Sequence, residues 1–222
     1  MTSLRDSALV RLDQVNHLSE GLTHGAAAIG INLNPTQTKC LLGYLTLLER
    51  WNRSYNLTAV RDPQEMVPRH LFDSLVILPY LRGESVLDLG TGAGLPGLPL
   101  AICEPYRHYW LVDGNGKKLR FVRQVVLELG LSQVEVVHSR IESYRPGRKF
   151  STIVSRAVAT IAQIHRLAAS LIERPGRLLV MKGRYPEEEL QDPALSDVDL
   201  AVHNLFVPDL EGERHLIEIR CE

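Results

Sequence analysis

Two patterns of apolar residues divide the chain. Up to about residue 82 they recur every three or four positions, the spacing of one helix face. Leu4, Ala8, Leu12, Val15 and Leu18 form one stripe, Leu41, Tyr44, Leu45 and Leu48 a second, and Val67, Leu71, Leu75 and Leu78 a third. Gly21, Gly25 and Gly30 loosen the chain between the first two. The later starts are marked by Asn34-Pro35 and Asp62-Pro63. Each places a capping side chain before a proline, whose missing N–H would find no partner in the first turn anyway. Pro68 falls inside the third stripe, so a break or kink is expected near Val67.

From Ser85 onward short apolar runs alternate with helical stretches. Strands are predicted at 85–89, 108–112, 134–137, 152–155, 177–181, 198–206 and 214–220. Between them, Leu119, Val122, Val126 and Leu129 make one helix face, closed by Gly130. Ile161, Ile164, Leu167 and Leu171 make another, closed by Pro175-Gly176. Strand–helix alternation predicts an α/β fold with a mostly parallel sheet covered on both faces. The segment from Pro208 to Glu213 has turn composition, so the last strand is expected to run antiparallel. The expected organisation is a helical extension over 1–82 and an α/β domain over 83–222, packed as a single globular unit.

Composition narrows the class. The 222 residues are 45% hydrophobic and 23% charged, enough apolar material for a sizeable core. Lys plus Arg number 25 against 26 Asp plus Glu, which excludes a strongly basic nucleic-acid coat protein but not a local basic patch. No apolar run approaches the roughly 20 residues that span a bilayer. The first residues lack the basic start and apolar run of a secretory signal. Cys40, Cys103 and Cys221 are odd in number and far apart, which reads as reduced thiols with neither a disulfide framework nor a metal site. A cytoplasmic monomer with no membrane partner is expected.

The most informative segment is Val86-Leu-Asp-Leu-Gly-Thr-Gly-Ala-Gly-Leu-Pro-Gly97. A strand ends in Gly90, Gly92 and Gly94, and a helix begins near Pro96. Glycines let the backbone turn tightly and approach a ligand. The next strand ends at Asp113, 23 residues after Gly90, where a carboxylate can accept from both hydroxyls of a ribose. Two cofactor classes share this layout. A nicotinamide dinucleotide prefers G-x-G-x-x-G, whereas this chain has G-x-G-x-G with Asp88 just before it. A carboxylate there repels a pyrophosphate and suits a cofactor with a positive amino group, such as S-adenosylmethionine. Methyl transfer is therefore favoured over hydride transfer.

Four segments together resemble the RsmG (GidB) family, which methylates N7 of guanine 527 in 16S ribosomal RNA. They are Trp51-Asn-Arg-Ser-Tyr-Asn-Leu-Thr58 with Arg69-His-Leu-Phe-Asp-Ser-Leu75; Leu87-Asp-Leu-Gly-Thr-Gly-Ala-Gly-Leu-Pro-Gly-Leu-Pro-Leu100; Ser139-Arg-Ile-Glu142 with Val154-Ser-Arg-Ala157; and Leu179-Val-Met-Lys-Gly183. The likeness covers about residues 40 to 185. It implies a seven-stranded S-adenosylmethionine-dependent methyltransferase sheet, Rossmann-like and mostly parallel with an antiparallel last strand, behind an N-terminal helical extension. It implies that Gly90, Gly92 and Leu95 hold the cofactor at the turn, that Asp113 binds the ribose, that Ile141 and Glu142 lie beside the adenine, and that Arg156 stands at the cofactor and substrate pocket. The implied partner is 16S ribosomal RNA within the small subunit or an assembly intermediate. Two departures stand out: Gly114 follows the ribose acid where the family often has Ser, and Pro68 sits beside the Arg69-His70 block.

Guanine N7 has an in-plane lone pair and no proton at neutral pH, so no catalytic acid or base is assigned. RNA contacts are expected from Arg50, Arg53, Arg69, Lys117, Lys118, Arg156 and Lys182, with Arg69, Lys118 and Lys182 as the principal candidates. Several of these residues have plainer readings. Lys117-Lys118 also reads as a solvated helix start, His70 and His138 as structural histidines, Asn56 as a turn residue, and Trp51 and Tyr55 as packing. Three other classes remain open: a methyltransferase acting on a small molecule or protein, a non-catalytic module with a degenerate site, and a nicotinamide oxidoreductase.

Overall fold

A computed structural model describes residues 17–156 and 158–222. The stripe from Leu4 to Val15 lies outside the described residues. Helix α1 covers 17–28 and α2 covers Pro35–Tyr55. The α2 start is a reciprocal cap: Asn34 accepts from Gln37 N–H, and the Gln37 side chain accepts from Asn34 N–H. Asn56 ends the helix in the left-handed conformation at φ 47°.

Helix α3 runs from Pro63 to Leu75 with Asp62 as its cap. The expected break at Pro68 takes a different form. Residues Val67–Phe72 widen into a π-helical turn, and the axis continues. A π turn accommodates a proline by shifting the hydrogen-bond register that the missing N–H would disrupt.

The sheet has seven strands: β1 Ser85–Leu89, β2 His108–Asp113, β3 Val134–His138, β4 Phe150–Arg156, β5 Ile172–Lys182, β6 Leu200–Asn204 and β7 His215–Cys221. Their order is β3-β2-β1-β4-β5-β7-β6. The first five are parallel, and β7 runs antiparallel to both β5 and β6. This is the predicted mixed sheet. The intervening helices are α4 Gly97–Cys103, α5 Gly116–Glu128, α6 Ile161–Ala168 and α7 Glu187–Leu190.

Strand alternation decides which side chains face which layer. Val86, Tyr109, Leu111, Val154 and Leu179 face one core with Leu22, Leu41, Tyr44, Leu48, Leu71, Leu119 and Phe121. Leu87, Leu89, Trp110, Val112 and Ile153 face the other, with Ile161 and Ile164 of α6. Helices α1 to α5 therefore cover one face and α6 the opposite face. The strand order reverses between β1 and β4, which opens a crevice at their carboxyl ends, where ligands bind in such sheets.

Two boundaries differ from expectation. β5 begins at Ile172, so Pro175-Gly176 lies inside the strand instead of closing a helix, and α6 stops at Ala168. A register shift between Phe150 and Thr152 of β4 marks where β5 passes this irregular stretch, and Gly176 pairs with Cys221 of β7. A bulged strand tolerates Pro and Gly that a regular inner one does not.

Candidate functional site

The glycine turn leaves β1 at the reversal point. Gly90, Gly92 and Gly94 have φ of 76°, 59° and 86°, values L side chains rarely adopt. Gly90 and Thr91 N–H both donate to the carbonyl of Val112, which folds the turn onto β2. Gly97 is required for a different reason. A Cβ there would lie 2.2 Å from Leu111 and 2.7 Å from Asp88 Oδ2. Its absence lets Gly97 N–H donate to Asp88 Oδ2 at 3.0 Å.

Asp88 stands where the sequence placed a partner for a positive amino group. Its side chain is fully buried, and Oδ2 accepts from Thr91 Oγ1 at 2.7 Å and from Gly97 N–H. Oδ1 has no partner. Burial pushes its carboxyl up to about 6, opposed by the hydrogen bonds from Thr91 and Gly97. In this geometry Asp88 builds the turn from beneath.

Asp113 closes the crevice from β2. Its Oδ2 accepts from Gly92 N–H at 2.8 Å and its Oδ1 from Asn115 N–H at 2.7 Å. The carboxylate is thus oriented by two backbone amides, with lone pairs left for hydroxyl donors. Asn115 caps α5 by accepting from Lys117 and Lys118 N–H. The turn Ile141–Ser143 follows β3, and Arg140 lies against Gly114 at 3.5 Å, measured to the position a Cβ would take. Ile141 and Glu142 therefore flank the Asp113 segment, Ile141 half-buried and Glu142 exposed. Leu95 is buried beneath the turn. Lys118 is half-buried, with Nζ 3.9 Å from the Cβ position of Gly92. His138 Nε2 lies 3.1 Å from the Gly114 carbonyl, which fits its structural reading.

A second recess, of about 380 Å³, opens beside the turn between α3, β4, β5 and β7. Arg156 ends β4, whose Ser155 pairs with Leu89 just before Gly90. Arg156 Nη1 donates to Asp73 Oδ2 at 2.9 Å, and Arg214 Nε donates to Asp73 Oδ1 at 2.8 Å. One carboxylate on α3 thus sits between two guanidiniums, one at the end of β4 and one just before β7. Arg69 also lines the recess, half-exposed beside Glu65 at 3.5 Å.

Lys182 lines the recess too, but its ammonium is engaged elsewhere. It donates to both Glu189 oxygens at 2.8 Å and to the Ala159 carbonyl at 3.1 Å. Its position is that of a loop anchor, in contrast to the free cation expected for a phosphate contact.

His70 lines the recess at the end of a chain of contacts that explains the Asn-Leu-Thr block. Buried Asn52 holds the loop by donating to the carbonyls of Thr58 and Val60 and accepting from Thr58 N–H. Thr58 Oγ1 accepts from Val60 N–H and lies 2.9 Å from His70 Nε2. Which of the two donates is set by the ring nitrogen that holds the proton. Burial, with Arg156 nearby, lowers the imidazole to about 4, so the ring is neutral at pH 7. Trp51 packs on Tyr55 and Phe121 at 5.0 and 5.9 Å between centroids, as its packing reading expects.

Sequence reasoning missed Asp73, Arg214, His215 and Tyr44 as parts of this region. Tyr44 joins α2 to the turn, its hydroxyl donating to the Ala93 carbonyl at 3.0 Å. Only Asp73 carried a signal, its place in the Arg69–Leu75 block. Among the described residues no cluster of His, Cys, Asp or Glu fits a metal ion, and no helix is long and apolar enough to cross a membrane.

The family model described as rRNA small subunit methyltransferase G, GidB, matches residues 37–217. The ribosomal RNA small subunit methyltransferase G of Alkalilimnicola ehrlichii is 50% identical over 200 residues, 90% of this chain and 91% of that one. Its counterpart in Pseudomonas aeruginosa is 48% identical over 206 residues, 92% and 96% of the two chains. The solved magnesium protoporphyrin IX methyltransferase of Synechocystis with bound SAM superposes with a TM-score of 0.59 over 80% of this chain and 97% of that one, at 16% identity. That last likeness is one of fold.

Proposed function

The chain belongs to the GidB family of small-subunit ribosomal RNA methyltransferases, and we propose that it transfers a methyl group from S-adenosylmethionine to N7 of guanine 527 in 16S ribosomal RNA. The observation that carries methyl transfer is the crevice at the strand reversal, where Gly92 N–H of the glycine turn orients Asp113 and the neighbouring end of β4 brings Arg156 of the arginine-lined recess. The residues fit this cofactor. At the Cβ position of Gly92 the nearest atoms are the Gly90 carbonyl oxygen and Lys118 Nζ, each at 3.9 Å, so a ligand can approach this backbone closely, and Asp113 keeps acceptors for a ribose.

In this assignment the turn around Gly90, Gly92 and Leu95 holds the amino-acid end of the cofactor. Asp113 holds the ribose, and Ile141 and Glu142 border the adenine. Arg156 joins this site to the recess. The bound cofactor supplies a methyl group made electrophilic by a positive sulfur. The nucleophilic lone pair is already free on N7, so no side chain has to remove a proton. The chain's own contribution is alignment, which can supply roughly 7–11 kcal/mol of a barrier. Arg69 and Lys118 contact RNA phosphates at the rim, while Lys182 ties the loop at Ala159 to Glu189 of α7. The expected setting is the cytoplasm, with the substrate a small subunit or an assembly intermediate.

The test uses methyl-labelled S-adenosylmethionine and small subunits lacking guanine-N7 methylation, with the label mapped by cleavage at 7-methylguanine. A single labelled guanine at position 527 is expected. Label at another nucleotide or atom would overturn the site assignment.

A further inference from the structure

The recess beside the glycine turn has four properties that together describe one kind of occupant. It is small, about 380 Å³, which admits a single base but not a duplex. Its floor carries a carboxylate, Asp73, with only 8% of its side chain exposed. A carboxylate there accepts from the donors of a base, whereas a phosphate has no donor to offer it, so a base fits the interior and the backbone stays outside. Its wall keeps hydrogen-bonding capacity that the described residues do not use: His70 Nδ1 and His215 Nδ1 are buried without partners. Two exposed aromatic residues adjoin lining residues, one by ring contact and one by chain neighbourhood. Tyr185 is 52% exposed and packs edge-on against His215, and Phe206, next to lining residue Leu205, is 69% exposed. Large apolar side chains left in water beside arginines make a stacking platform for unpaired bases.

We propose that this recess receives the target guanine, unstacked from its strand, with Asp73 accepting from N1–H and the 2-amino group while Tyr185 and Phe206 stack on neighbouring bases. The inference rests on the guanine-N7 reading above and adds the residues that select the base. Arg156 and Arg214 each take one Asp73 oxygen and fix the carboxylate plane, and each oxygen keeps a second lone pair. The Watson–Crick edge of guanine offers two donors side by side. Adenine presents an acceptor at N1, which a fixed carboxylate repels. With that edge inward, N7 faces out of the recess toward the turn, on the side of Arg156.

The experiment compares small subunits reconstituted with guanosine or inosine at the target position. Inosine keeps N7, O6 and N1–H but lacks the 2-amino group. The intact protein is expected to lose roughly ten- to hundredfold in kcat/KM on inosine, the worth of a hydrogen bond to a charged acceptor. Asp73→Asn is expected to bring the two substrates to similar rates, a change that a purely structural role would not produce. Tyr185→Ala and Phe206→Ala, both on exposed rings, are expected to lower kcat/KM about tenfold while S-adenosylmethionine binding by calorimetry is unchanged. If guanosine subunits are methylated at N7 but inosine is accepted equally by the intact protein, the base-reading proposal is overturned. Unchanged activity in both aromatic variants overturns the stacking part. If guanosine subunits acquire no methyl group while the cofactor binds, the failure belongs to the underlying substrate reading.

Discussion

Replacing Asp88 by Asn should make the protein more stable at neutral pH. The carboxyl is fully buried with one unpartnered oxygen, and its titration is raised from 3.8 to about 6. Ionising it in the folded state therefore opposes folding. The sign follows from proton linkage: between 3.8 and 6 the folded state holds more protons than the unfolded one, so this contribution falls as pH rises through that window. The full effect is present below 3.8 and gone above 6. A shift of about two units corresponds to about 3 kcal/mol. The amide oxygen of Asn can keep both bonds, from Thr91 and from Gly97. Urea denaturation of both proteins from pH 4 to pH 8 should show the variant's advantage growing with pH towards about 3 kcal/mol, or roughly 6–12 °C in melting temperature at pH 8. Comparing the two proteins at each pH cancels all other titrating groups. A stability difference that stays flat from pH 4 to pH 8 would refute the reasoning. Retained cofactor binding in the variant would confirm that the side chain supports the turn without touching the amino group.

Other consequences can be measured in the same way. Asp113→Asn should weaken S-adenosylmethionine binding by roughly tenfold or more in calorimetry with little change in melting temperature, since a charged acceptor for hydroxyls is lost. Gly94→Ala should destabilise by roughly 1–3 kcal/mol and impair cofactor binding, because φ is 86° and the new methyl would meet Leu98 at 2.2 Å. His70→Gln should cost stability at pH 7, with the deficit shrinking as pH falls from 6.5 towards 4. The native ring is held neutral down to about 4, whereas the unfolded ring gains its proton near 6.5, so acid penalises only the native protein. Tyr44→Phe should cost about 1 kcal/mol and raise KM for the cofactor, since it frees the Ala93 carbonyl.

Much of this architecture is legible in the sequence because it is written in local terms. The helix starts at Asn34 and Asp62, the strand ends at Gly90 and Asp113, and the antiparallel β7 follow from capping chemistry, glycine spacing and the turn composition of Pro208–Glu213. The crevice assigned to the cofactor was visible for the same reason, its parts lying on two consecutive strand ends. Helix α7 was not, since Glu187–Leu190 is one polar turn with no apolar face to betray it. The start of β5 was hidden by Pro175-Gly176, which read as a stop and instead lie in a strand with irregular pairing. The recess was illegible in principle. Asp73, Arg156 and Arg214 are separated by up to 141 residues, and nothing local to any of them announces the other two. Lys182 misled because a lysine at a strand end reads as available until its partner Glu189 is seen.

The hydrogen bond from Tyr44 to the Ala93 carbonyl gives α2 a mechanical hold on the glycine turn, to which we assign the cofactor. Helix α2 also carries Arg50 and Arg53 on its exposed side, where a nucleic acid can press. If docking there shifts the helix, it shifts the turn, and equilibrium thermodynamics then requires the influence to run both ways: whatever factor RNA contributes to holding the cofactor, the cofactor contributes to holding RNA. A methyl donor and a ribosomal particle would then report on each other's presence through a single phenol, and the exchanged product, lacking its methyl, would loosen the grip on the finished RNA only to the extent that this one contact registers the difference.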